Sequence, residues 1–129
     1  VDFIDQNKAG VVSITGAGGG ATGSSSIINL GIREETVSTT LVLADNNGAV
    51  EVNSPSDATI TILPDSSVIF PQGAQSVIRR TGTGRLTIVA GAGVTLQAAD
   101  NLLELSVQFS AATVYRQSAD TWAVMGDLV

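Results

Sequence analysis

Residues 77–89, VIRRTGTGRLTIV, decide the class of this fold, because their Gly-Thr-Gly core reads as a phosphate loop or as a turn between strands. A phosphate loop of the Walker type needs G-x-x-x-x-G-K-[ST] leading into a helix, whose N-terminus faces the anion. Here there is no Lys, and the residues after the turn alternate, with Leu86 and Ile88 set against Arg85 and Thr87. That is the period of a strand. Gly82 and Gly84 then suit a short hairpin loop that needs positive φ.

Working outward, the same grammar repeats at intervals of about 8–12 residues, the spacing of all-β sandwiches and barrels. TTLVLAD runs through NNG into AVEVN, and Asn47-Gly48 has the chemistry of a type I′ hairpin turn. ATITIL puts Ile60 and Ile62 on one face, Thr59 and Thr61 on the other. PDSS and FPQG are turns, with Pro71 setting φ and Gly73 closing the second. QSVIRR, RLTIVA, GVTLQA, LELSVQF, AATVYRQ and TWAVMGD continue the series, and AADNLLEL has room for one helical turn. The expected fold is all-β, a compact antiparallel β-sandwich or barrel of about 8–10 short strands over residues 37–129. Residues 1–36 form an extended, Gly/Ser-rich amino-terminal segment around GAGGGATGSSS, either a docking arm that orders on a partner or a partly ordered stretch.

Composition narrows the chemistry. Aromatics are 4% of the 129 residues and Lys occurs once, so the polar residues that cover long helices are missing. The formal net charge of −6 opposes a dedicated nucleic-acid binder, which needs a cationic footprint. With no Cys and no His there is no disulfide framework, no thiolate and no imidazole base or ligand. Ser-based hydrolysis lacks its histidine. No run of 18 apolar residues offers a transmembrane helix.

The remaining candidates are few. GAGGGA, residues 16–21, fits the dinucleotide fingerprint in letters, but no helix-forming sequence comes after it. ADNNGAVE lacks the ligand spacing of a calcium loop. No cofactor or metal is expected. Arg79, Arg80 and Arg85 hold half of the chain's six cationic side chains near one turn, so they either pair with surface acids or meet carboxylates across an interface. Trp122 and Tyr115 are further interface candidates, Trp122 equally a core residue.

Residues 39–129 resemble a small β domain of bacteriophage virion structural proteins. The resemblance rests on Leu63-Pro64, Phe70-Pro71-Gln72-Gly73, Gly82-Thr83-Gly84, the GVTL of residues 93–96 and the terminal Trp122, Gly126 and Asp127, in that order. It implies a non-enzymatic, usually trimeric module of capsid decoration (cement) proteins or of tail and head fibres. On that footing the expected partners are two further copies of the chain and the major capsid protein, with no nucleic acid and no membrane. The expected location is the capsid exterior of a virion, after synthesis in the host cytoplasm, since VDFIDQNKAG lacks the features of a secretory signal. A fibre or receptor-binding module would instead recognise a bacterial surface glycan.

Overall fold

The computed structural model describes residues 31–129. Most of the Gly/Ser-rich segment, GAGGGA included, lies outside the described residues. Nine strands are present among those described: β1 Ile32–Glu35, β2 Thr39–Thr40, β3 Gly48–Val52, β4 Ala58–Ile62, β5 Gln75–Arg80, β6 Leu86–Ala90, β7 Thr95–Ala98, β8 Ala111–Ser118 and β9 Thr121–Gly126. Two single 3₁₀ turns, Leu43–Asp45 and Ala99–Asn101, are the helical elements. β1 falls in the last residues of the expected amino-terminal segment and is part of a sheet.

All-β is therefore right in kind, but the antiparallel sandwich or barrel is not what forms. The strands build a six-stranded sheet in the order β1-β3-β5-β8-β9-β7 and a three-stranded sheet in the order β2-β4-β6. Pairs β1/β3, β3/β5, β2/β4 and β4/β6 are all parallel. Consecutive strands thus change sheet, and the chain winds as stacked coils, β1–β2, β3–β4 and β5–β6. Only β8 and β9, joined by a tight turn and laid against β5, are antiparallel. β7 closes the far edge in parallel with β9.

This winding revises two turns. Asn47 does take a positive φ of 64°, yet it leads from the first coil into β3 rather than closing a hairpin. TGTGR passes from one sheet to the other, and Gly82 and Gly84 are not among the positive-φ residues. They stack directly on the turn of the coil below. The Gly84 N–H donates to the Ser54 carbonyl at 2.9 Å and Gly82 N–H to Val52 at 3.2 Å. A Cβ on Gly82 would fall on the Ser54 backbone, and one on Gly84 on that of Ser56. Glycine is needed there for close approach, not for a turn angle.

The coils enclose one core. Val50, Val52, Ile78, Val114 and Val124 from the large sheet meet Ile60, Ile62, Leu86 and Ile88 from the small one. Trp122 is 1% exposed and meets Phe70 edge-on, with ring centroids 5.1 Å apart. LELSVQF is not a strand. Leu105 and Glu104 make isolated bridges to Leu128 and Thr87, and the chain then turns tightly through residues 106–110.

Candidate interaction surface

The three arginines of the opening stretch do not share a site, because strand alternation splits them. Arg79 lies on the outer face of β5 and Arg80 on the inner face. In the parallel register Arg79 is the neighbour of Glu51, and its Nη1 donates to Glu51 Oε2 at 3.1 Å. Its guanidinium also lies 5.4 Å from the ring centre of the exposed Phe109. Arg80, 9% exposed, caps the inside of the coil and donates to the carbonyls of Leu105 and Thr83 at 3.2 and 2.9 Å. Arg85 is exposed and reaches Asp57 at 3.0 Å and Glu104 at 3.9 Å. Trp122 belongs to the core, and Tyr115 is half-buried on the outer face between Gln75 and Ala123.

Stacking explains these ion pairs. Strands β3–β4 and β5–β6 stand in gap-free register, with Ala49 beside Val77 and Ala58 beside Leu86, each 28 positions apart. The same offset sets Glu51 beside Arg79 and Asp57 beside Arg85, so each coil presents an acid where the next presents an arginine. A scan of the sequence for its own repeat at that offset finds both pairs.

Two further arginine sites were not visible in the sequence. Arg33 uses all five of its N–H groups: Nε and Nη2 grip the two oxygens of Asp45 at 3.0 and 2.9 Å, and the others reach Glu35, Thr39 Oγ1 and the Thr40 carbonyl. Asp45, 3% exposed, also accepts the Val42 N–H at 2.9 Å. This clasp ties β1, β2 and the first 3₁₀ turn together, and hydrogen bonding to Asp45 raises the Arg33 pKa further. Elsewhere Arg116 Nη2 donates to Asp65 Oδ2 at 2.7 Å, and Asp120 Oδ1 accepts the Asp65 N–H.

The Arg116 hydrogen bond holds the Asp65 carboxyl below the usual carboxylate range, and Arg85 does the same for Asp57. A depressed folded-state pKa adds stability that is present above the unfolded value, about 3.9, and is lost as pH falls through the folded one. The urea midpoint is therefore expected to hold between about pH 7 and 5 and to fall below about pH 4. Arg116→Leu should flatten that acid limb; an unchanged limb would show that the pair contributes nothing.

Among the described residues no three of His, Cys, Asp or Glu gather as metal ligands, and none of the helical elements is long and apolar enough to cross a membrane. What the surface does offer is the outer face of the large sheet. Register aligns Ile32, Ala49, Val77, Thr113 and Met125 in one row across β1, β3, β5, β8 and β9. Ile32 is 67%, Val77 39% and Met125 47% exposed. An open depression of about 560 Å³ runs over Ala49, Val77 and Thr113, bounded by Asn47 and Gln75. No protein-family model, curated protein or solved structure matches the chain.

Proposed function

We propose that this chain is a non-enzymatic structural module of a bacteriophage virion: a homotrimeric capsid decoration protein that lies on the outside of the major capsid shell and stabilises it. The observation that carries the reading is the outer face of the large sheet, where among the described residues three large apolar side chains stand exposed in a single row. Scattered exposed apolar residues need no explanation, whereas an aligned row on one sheet face supports a contact surface. The resemblance of the sequence from Leu63 to Asp127 to phage virion domains is the reason for naming this kind of assembly. Ion-paired arginines and a chain without Cys or His suit a static part of a shell.

Stabilisation would come from area. Apolar burial contributes roughly 25 cal/mol per Å², and three linked copies multiply a modest footprint by binding together. A second reading, a fibre or receptor-binding module for a bacterial surface glycan, draws support from the stacked coils, which build along one axis as elongated proteins do.

Mixing the purified protein with undecorated capsids and imaging them by electron microscopy separates the two. The first reading expects ordered density on the shell and better survival of heat. A bare shell at saturating protein overturns it, and retention on host polysaccharide in the same preparation supports the second.

A further inference from the structure

We infer that the β7 edge of the six-stranded sheet receives residues 11–15, VVSIT, from a neighbouring copy of this chain, paired to β7 as a further strand. This rests on the self-assembly in the reading above and supplies the link between its copies.

The two edges of the large sheet differ in chemistry. β1 carries Arg33, Glu34 and Glu35, and charge on an edge strand deters a further partner. β7, Thr95-Leu96-Gln97-Ala98, has no charge, no proline and no glycine. It meets β9 through alternate residues. The Thr95 N–H donates to the Asp120 carbonyl at 2.8 Å, so Leu96 and Ala98 turn their N–H and C=O groups away from β9. Among the described residues no other backbone group is hydrogen-bonded to those four. The core is unfinished at the same place: Val68, Val94, Leu96 and Ala98 pack against it but are only partly buried.

Residues 11–15 match that edge in length, propensity and pattern. Four of the five are β-branched, none is charged, and Gly10 and Gly16 bound the run. Alternation sets Val12 and Ile14 on one face and Ser13 and Thr15 on the other. Laid along β7, Val12 and Ile14 extend the half-buried face of Leu96 and Ala98. Ser13 and Thr15 then stand beside the exposed Thr95 and Gln97. Residues 16–30 give the run a reach of at most about 50 Å, against about 24 Å across the five strand spacings from β1 to β7. Handing each run to the next copy is a head-to-tail contact, the kind that closes into a ring of three without a self-complementary face.

Because the chain has no cysteine, a disulfide can report the contact directly. Tagged Ser13→Cys protein is mixed with untagged protein carrying Gln97→Cys or Thr95→Cys, the two outward positions of β7, and oxidised. The expected product is a band that holds one chain of each kind, and the double variant should extend it to three copies. A double variant that closes its disulfide within one chain overturns the inference and places the run on its own copy. Gln97→Cys protein that dimerises with itself in preference to the mixed band overturns it in favour of β7 pairing with β7.

Sedimentation of the full 129-residue chain gives the second readout. Val12→Asp/Ile14→Asp should lower the association constant by about tenfold or more, since two apolar contacts are replaced by charges. An oligomer that survives this change and yields no mixed band overturns the inference and leaves self-assembly standing. A wild-type chain that stays monomeric overturns both.

Discussion

Gly84→Val is expected to cost about 3 kcal/mol or more of folding stability, read as a drop in the urea midpoint. The new side chain would have to occupy the backbone of Ser56, and moving away breaks the Gly84 N–H bond to Ser54 at 2.9 Å. Neighbouring turn 53–57 has little room to give, since Ser54 is buried and its hydroxyl donates to the Ser56 carbonyl at 2.7 Å. Gly73 provides the contrast. It has a φ of 81° and open space around its Cα, so Gly73→Ala meets only the left-handed penalty, roughly 1–2 kcal/mol. If Gly84→Val proved as mild as Gly73→Ala, the stacked turns would be wrong and an ordinary hairpin loop restored.

Arg33→Met should be equally severe, about 3–5 kcal/mol, because it strands the Asp45 carboxylate 3% exposed with one remaining backbone donor. Arg33→Lys keeps the charge but cannot make the two-pronged contact with Asp45 or reach Glu35, Thr39 and Thr40 together. It is expected to recover a minority of the loss. Thermal melts of the two variants decide the matter: a lysine variant as stable as wild type would reduce the clasp to a simple ion pair.

The strands themselves were legible and their partners were not. QSVIRR, RLTIVA, GVTLQA, AATVYRQ and TWAVMGD all coincide with strands β5 to β9, since alternation is a local property of the chain. TTLVLAD overstated its strand: only Thr39–Thr40 pairs, and Leu43–Asp45 turns so that Asp45 can meet Arg33. Pairing is non-local. Short loops between β runs favour hairpins on general grounds, but the turns 53–57 and 81–85 carry the chain between sheets, and each strand finds its mate a whole coil later. The same blindness affected the arginines. Proximity in sequence suggested a cluster at Arg79, Arg80 and Arg85, while the pleat turned Arg80 inward and stacking gave the other two their own acids. Arg33 and Asp45 meet through a fold-specific bend that no spacing rule encodes.

The gap-free register of β3–β4 on β5–β6 makes the length of this protein a quantised property. Duplicating a unit of 28 residues adds one storey, about 4.8 Å tall, and sets two acids or two arginines next to each other on the flank. A single inserted residue between positions 81 and 85 does the opposite. It carries Gly84 off its seat over Ser56 and swings Arg85 from Asp57, so this one turn scarcely tolerates a change of a single amino acid.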